Sequence, residues 1–369
     1  MTHSRIVRGL LALLFAVGLQ AAELDGPYVL RGESGLESWS VVADGGETRK
    51  QVRPVEGDSI TVPAVGRFPA FAVKLRPPAE PMADVVTVAA EQPIFVVADT
   101  HGEFEILAEM LQKQGVLDEK LGWKFGRGHL VVLGDVFDRG PHQTEILWLL
   151  YELEAQARKA GGGAHLLLGN HETMVMRGDV RYLHPKYPET ARTLGTGYPN
   201  LFGADSVLGQ WLRMQRVALR VNDLLLVHGG ISRALLDQEF TLAEMNTLSR
   251  AALNERLGSE QETERAEFLL GSLGPLWYRG YFTAPSDLMG ASDIDVDLTL
   301  KRFGVGRVVV GHTTVPTIRS LYDGRVIAVQ VYPKREDWGL VRFECLLIRE
   351  GKPLRARFDG GTEPLSDPE

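Results

Sequence analysis

The sequence predicts an α/β fold, a sandwich of mixed β-sheets flanked by helices, with a small N-terminal β domain ahead of it. Three observations point there. Short apolar runs recur along the chain, most of them closed by glycine and a polar residue, as in strands buried on both faces. From Glu91 onward these runs alternate with stretches of helical periodicity. Before Glu91 that alternation is missing, and short glycine-bounded runs read as hairpins.

The chain opens MTHSRIVRGLLALLFAVGLQAAELDG. Arg5 and Arg8 form a positive n-region, residues 10–19 an apolar stretch, and Ala21 and Ala22 a small-residue cleavage site near 21–23. Residues 1–22 are therefore expected to be a secretory signal peptide, because the apolar run is shorter than the ~20 residues a membrane helix needs. An uncleaved N-terminal anchor is the alternative. No other run is long enough to span a bilayer, so no stable membrane span is expected after cleavage. Cys345 is the only cysteine, so no intrachain disulfide can form, and a periplasmic or secreted enzyme fits better than a disulfide scaffold. Hydrophobic residues at 44% and charged residues at 24% place the chain among soluble globular proteins. A net charge of −8 gives no electrostatic footing for nucleic acid.

Residues 23–85 contain SWSVVADGGETRKQVRPV, two runs around a glycine turn, then DSITVPAV and FAVKLRP. They form the expected small β domain, and RPPAEP at 76–81 reads as its linker to a second domain over 86–369. A strand at 93–98 leads into a helix carrying Phe104, Leu107, Met110 and Leu111. A strand at 129–133 precedes a helix at 143–159, closed by the glycines 161–163. A strand at 165–168 precedes a helix near 171–178. VALRVNDLLLVH and TIRSLYDGRVIAVQV read as hairpins turning at Asn222-Asp223 and Asp323-Gly324, which makes the later sheet partly antiparallel. Residues 172–216 read as a long functional loop, with Tyr182, Tyr187 and Tyr198 walling a pocket. His129, His142 and His165 open strands or a helix and are expected to be structural. His184 either reaches substrate or lies on the surface.

The chemistry concentrates at strand ends. PIFVVADTHG ends in Asp99 and His101, and LVVLGDVFDRGPH in Asp135, Asp138 and Arg139. AHLLLGNHE ends in Asn170, His171 and Glu172, DLLLVHGG in His228, and RVVVGHTT in His312. In open α/β sheets, ligands sit beyond strand ends. Any one motif has a structural explanation: Asn170 as a helix cap, Asp138 and Arg139 as a surface pair, His312 as a satisfied polar residue. Together, Asp99, His101, Asp135, Asn170, His228 and His312 offer oxygen and imidazole ligands without thiolate, suited to Mn, Fe, Zn or Co rather than a structural zinc. Six ligands exceed what one open catalytic metal uses, so two divalent ions bridged by a carboxylate are expected. Two aspartates and a bridging hydroxide leave net positive charge for an anion such as phosphate, and the hydroxide is a nucleophile near neutral pH.

DTHG, GDVFDRG, GNHE, HGG and GHTT, in this order, resemble the calcineurin-like metallophosphoesterases, specifically the phosphoprotein phosphatase family. GPLWYRGY at 274–281, MRGDVRYLHPKY at 176–187 and the leader narrow the resemblance to the bacterial Shewanella-like protein phosphatases, some of which act on phosphotyrosine. It covers residues 91–335. Two departures are Ala98, where the family has glycine, and Phe137, where animal enzymes have valine. The resemblance implies two divalent metals (Mn, Fe or Zn), the first held by Asp99, His101 and bridging Asp135, the second by Asp135, Asn170, His228 and His312. It implies His171 as general acid, Asp138 as the group that orients it, and Arg139 and Arg279 as the phosphate clamp. It further implies hydrolysis of a phosphoprotein or phosphopeptide by direct attack of the bridging hydroxide. Two other functions are consistent with parts of the sequence. A symmetrical diadenosine tetraphosphatase shares several motifs, but the long 172–216 excursion and the secretion signal argue against it, since its substrate is cytosolic. A non-catalytic phosphate-binding module is disfavoured by the complete ligand set.

Overall fold

The computed structural model describes residues 22–77, 81–287, 289–337 and 339–365, so the expected leader lies outside the described residues apart from Ala22. Three antiparallel strands come first: β1 (Ala22–Gly32), β2 (Gly35–Asp44) and β3 (Glu47–Pro54). The β2–β3 hairpin turns at Gly45 and Gly46. β1 was not identified from the sequence; it carries Gly26 and Pro27, and the β1–β2 register shifts between Asp25 and Tyr28, which accommodates them. A second hairpin joins β4 (Ser59–Val62) and β5 (Phe71–Lys74).

The expected linker begins with a fixed residue. Arg76 N–H donates to Tyr151 Oη at 2.8 Å, its guanidinium donates to Glu154 at 3.2 Å, and it stacks 4.0 Å above the Tyr151 ring. The expected boundary at 85/86 falls inside β6 (Val85–Val86), which pairs in parallel with a later strand. The N-terminal strands share a continuous apolar core with the rest of the chain.

The next elements are β7 (Ile94–Val97), α1 (Phe104–Lys113), β8 (His129–Val132), α2 (Gln143–Lys159) and β9 (Gly163–Leu166). β7, β8 and β9 are parallel and buried on both faces, which explains their largely apolar sequences, His129 and His165 excepted. β9 starts two residues before its expected position. Its first residue, Gly163, sits against the rings of His129 and His165, where an added Cβ would come within 2.7 Å of both. What looks like a helix breaker is the start of a strand.

Residues 172–216 are not an open loop. They fold into α3 (Asn170–Met176), α4 (Lys186–Leu194), a 3-10 turn (Tyr198–Phe202) and α5 (Val207–Arg213). Next come β10 (Ala218–Val221), β11 (Leu224–Val227), α6 (Arg233–Asp237), α7 (Leu242–Leu253), α8 (Glu260–Leu270), α9 (Asp293–Phe303) and β12 (Arg307–Val310). β13 (Arg319–Leu321) and β14 (Val326–Ala328) form a hairpin whose loop spans Tyr322 to Arg325, wider than the two-residue turn expected. A small hairpin of β15 (Lys334–Arg335) and β16 (Val341–Arg342) leads to β17 (Glu344–Arg349), β18 (Lys352–Arg357) and β19 (Thr362–Pro364).

Two six-stranded mixed sheets result, ordered β13-β14-β12-β11-β10-β6 and β19-β18-β17-β7-β8-β9. The C-terminal strands, beyond the reach of the sequence motifs, complete the second sheet by pairing β17 antiparallel to β7. Between the sheets, His228 Nδ1, just past β11, meets the Leu133 carbonyl, just past β8, at 2.8 Å. Among the described residues, no helix is long and apolar enough to cross a membrane.

Candidate active site

The residues singled out at the strand ends converge. Asp135 is central: its Oδ2 lies 3.2 Å from His228 Nε2, 3.9 Å from His171 Nε2 and 4.0 Å from His101 Nε2. His228 Nε2 is also 3.0 Å from Asn170 Oδ1 and 3.1 Å from His312 Nδ1. Asp99 Oδ2 lies 3.9 Å from His101 Nε2, and Asp99 Oδ1 accepts the His312 N–H at 3.0 Å. All these side chains are buried.

The backbone that delivers them is unusual. His101, Asp135, Asp138, Arg139 and His312 all have positive φ, between 44° and 71°. Side-chain-bearing residues rarely adopt this region, and such strain gathers at functional sites. Glycines permit the close approach of the strand ends: a Cβ on Gly134 would meet the Gly169 nitrogen at 2.3 Å, and one on Gly169 would meet Asp135 Oδ1 at 2.2 Å. Glu172, given no role from the sequence, ties the loops together. Its fully buried carboxylate accepts the N–H groups of Gly169, Asp135, Val136 and Phe137 at 2.6 to 3.2 Å.

The donor set fits divalent cations. His101 Nδ1 faces the Phe137 carbonyl at 2.9 Å and His228 Nδ1 faces Leu133 O, so each ring, when neutral, donates there and leaves Nε2 as a lone pair. His228 Nε2 then confronts a carboxylate oxygen, an amide oxygen and another imidazole nitrogen at 3.0 to 3.2 Å. Lone pairs pack this closely only around a cation or a proton. His312 Nε2 is buried without a hydrogen-bond partner among the described residues. Two groups could each hold an ion: His101, Asp135 and His171, and Asp135, His228 and His312. The first group contains His171 where Asp99 was expected; Asp99 lies just outside it.

Electrostatics agree with a site short of positive charge. Burial pushes the Asp99 carboxyl up to about 7, against the pull of His228. Burial opposes protonation of His228, yet Asp135 and Asp99 carry its pKa up to about 9. Burial also acts to raise Asp135, but His228 and the adjacent imidazoles hold it well below the carboxylate range. Burial lowers His101 to about 4 and also depresses His312, so both rings are neutral and able to act as ligands.

His171 stands apart. Its Nδ1 bonds to Asp138 Oδ2, and its backbone N–H donates to Asp135 Oδ1 at 2.9 Å. Burial alone would lower its pKa, but the bond to Asp138 and the charges of Asp135, Asp138 and Glu172 raise it. Arg139 and Arg279 are exposed at the rim, and no described carboxylate lies within 4.0 Å of either guanidinium. Burial lowers the pKa of Arg279; Asp135 and Asp99 oppose that shift and Arg139 adds to it, so the two arginines share one field.

The expected aromatic wall is mostly elsewhere. Tyr187 and Tyr198 are 0% and 3% exposed and belong to the core. Only Tyr182, 47% exposed, reaches the site, its ring 5.4 Å from that of His171. Tyr332 and Trp277, which sequence reasoning missed, complete the rim at 5.7 Å from His101 and 5.8 Å from His312. Trp277 lies two residues from Arg279 and was within reach of the motif; nothing local marks Tyr332. His129 and His165 sit away from the site as a stacked pair, Nδ1 to Nε2 3.0 Å. His142 belongs to neither ion-holding group found among the described residues; its Nδ1 meets Glu145 at 3.2 Å. His184 is half-buried, its Nδ1 accepting the Lys186 N–H at 3.2 Å.

Comparison with known proteins adds lineage. A sequence profile described as Calcineurin-like phosphoesterase matches residues 92–316. The crystal structure of a cold-active protein-tyrosine phosphatase from a psychrophilic Shewanella sp. superposes with a TM-score of 0.79 at 35% identity, covering 93% of this chain and 99% of that one. An uncharacterized protein of Schizosaccharomyces pombe is 31% identical over 248 residues, 64% of this chain and 71% of its own length. Shewanella-like protein phosphatase 2 of Arabidopsis thaliana is 34% identical over 105 residues, 28% of this chain and 27% of its own length.

Proposed function

The chain belongs to the calcineurin-like phosphoesterase family, and on that premise we propose that it is a dinuclear metal-dependent protein phosphatase that prefers phosphotyrosine. When bound, two divalent cations (Mn, Fe or Zn) supply Lewis acidity, acidifying water and neutralising phosphoryl charge. Asp99, His101, Asp135, Asn170, His228 and His312 would hold them.

The observation that carries the reading is the placement of His171. Its Nδ1 is locked on Asp138, which leaves Nε2 facing the Asp135 carboxylate at 3.9 Å. A ring so held, its pKa raised against the effect of burial by the bond to Asp138 and the nearby carboxylates, is placed to deliver its Nε2 proton to the leaving oxygen. Arg139 and Arg279 clamp the non-bridging phosphate oxygens through planar donor forks. Water displaces the leaving group in line: the new P–O bond forms as the old one breaks, and no covalent enzyme intermediate arises.

The preference for phosphotyrosine rests on Tyr182, Tyr332 and Trp277 around the opening, since aromatic rims favour a planar phenyl group. The similar Shewanella protein is titled a protein-tyrosine phosphatase. A panel of phosphotyrosine, phosphoserine and phosphothreonine peptides beside diadenosine tetraphosphate tests this reading. Hydrolysis of peptides, phosphotyrosine fastest, is expected. Cleavage of the dinucleotide alone overturns it in favour of a tetraphosphatase, and phosphate binding without hydrolysis of any substrate favours a non-catalytic module. A periplasmic or secreted location is proposed from the leader-like residues 1–22; recovery of the native protein only in the cytosolic fraction would refute it.

A further inference from the structure

We propose that Gln143 is a positioning residue for the reaction: it holds the Asp138 backbone in the conformation that aims the Asp138 carboxylate at His171. The proposal rests on His171 being the proton donor. Asp138 and Arg139 have φ of 71° and 67°, a strained pair that persists only when its surroundings over-determine it. The Asp138 N–H donates to Gln143 Oε1 at 2.6 Å, and the Arg139 N–H to the Tyr182 carbonyl at 3.0 Å. Asp138 Oδ1 is buried without a hydrogen-bond partner among the described residues, and only Oδ2 is engaged, by His171. Among the described residues no other side chain hydrogen-bonds that carboxylate, so its aim is set by its own backbone.

Gln143 is built to hold that backbone. It is the first residue of α2, yet its side chain reaches back five residues to Asp138 rather than capping its own helix. It is completely buried. A backbone N–H can only donate, so Oε1 must face Asp138 and Nε2 must face the other way, where it donates to Tyr198 Oη. The Gln143 backbone N–H donates to Tyr187 Oη at 2.9 Å. The brace extends into the N-terminal sheet. Lys186, beside Tyr187 on α4, lies 2.8 Å from Asp25 Oδ1 of β1 and donates to the Pro141 carbonyl at 2.7 Å. Asp25 Oδ2 accepts Tyr28 Oη and Thr190 Oγ1, each at 2.7 Å. A buried polar chain therefore runs from β1 through α4 to the Asp138–His171 pair.

The test compares wild type, Gln143→Ala, Gln143→Glu and His171→Asn, all metal-loaded, on a phosphoserine peptide and on 4-nitrophenyl phosphate. Gln143→Ala is expected to lower kcat on phosphoserine about tenfold, part of the ~10²–10⁴ that general acid catalysis supplies. KM and metal content stay near wild type, and the loss on the aryl phosphate is much smaller because its phenolate leaves without help. Gln143→Glu keeps an acceptor for the Asp138 N–H and restores most of the phosphoserine rate. Where Gln143→Ala fails to fold, Tyr198→Phe, which removes only the hydroxyl behind the amide, is expected to show the same contrast more weakly. Unchanged rates, equal losses on both substrates, or no rescue by glutamate overturn the role of Gln143. If His171→Asn itself shows no contrast between substrates, the proton-donor reading falls and takes this proposal with it; a contrast for His171→Asn but none for the Gln143 or Tyr198 variants overturns this proposal alone.

Discussion

His228 turns one ring nitrogen to the Leu133 carbonyl and brings the other to 3.2 Å from the Asp135 carboxylate, so the two residues form a buried pair that a proton or a cation must bridge. Without metal the proton wins, since Asp135 and Asp99 carry the His228 pKa up to about 9 against the effect of burial. Metal binding must expel that proton, so affinity falls as pH falls below about 9. Purified protein is expected to hold two transition-metal ions by elemental analysis, to lose activity and thermal stability on chelation, and to regain both with Mn. His228→Ala should bind at least one ion fewer. Full activity in demonstrably metal-free protein would sink the metal reading.

His171→Asn removes the proposed proton donor while keeping a polar side chain. Turnover on phosphoserine should drop by about 10²–10⁴, with a smaller loss on an aryl phosphate. Equal losses on the two substrates, accompanied by loss of metal, would make His171 a ligand instead; its membership of the His101–Asp135 triplet makes that comparison decisive.

Tyr182→Ala tests selectivity at the rim. One aromatic contact is worth about 0.5–1.5 kcal/mol beyond burial, so the phosphotyrosine-to-phosphoserine ratio of kcat/KM should fall by up to about tenfold. Shortening the 180–200 segment would be a poor substitute, because it removes Tyr187 and Tyr198, whose hydroxyls accept from Gln143. An unchanged ratio in Tyr182→Ala would move selectivity to Tyr332 or Trp277.

Acid should destabilise the fold through His165, away from the site. Burial first, then the charges of Arg216, His129 and Arg158, hold its pKa well below 6.5. As pH drops below about 6.5 the unfolded chain takes up a proton that the folded ring refuses, so stability is full above that pH and declines below it, down to the folded pKa. His129, lowered by burial, contributes with the same sign. Urea midpoints at pH 7.5 and 5.5 should differ less for His165→Gln than for wild type; equal differences would show that His165 does not titrate in this range.

Strand positions and the chemistry at their ends were legible in the sequence because both are local. An apolar run such as 130–133 buries on both faces wherever it folds, and GD, GN and GH pairs advertise a glycine that lets a ligand-bearing backbone pass close to its neighbour. The pairing of those ends was not local: His312 N–H reaches Asp99 across 213 residues of sequence. The same distance effect hid other parts. β17 joins β7 from the far end of the chain, and Tyr332 flanks His101 from a stretch with no motif. Tyr187 and Tyr198 have the composition of a binding wall, yet both are buried, packed against each other, with Tyr28 of β1 and Phe202 against Tyr198. Residue type and spacing settled which groups could do chemistry. Burial, and the partner each polar atom finds in three dimensions, decided which of them face substrate and which hold the others in place.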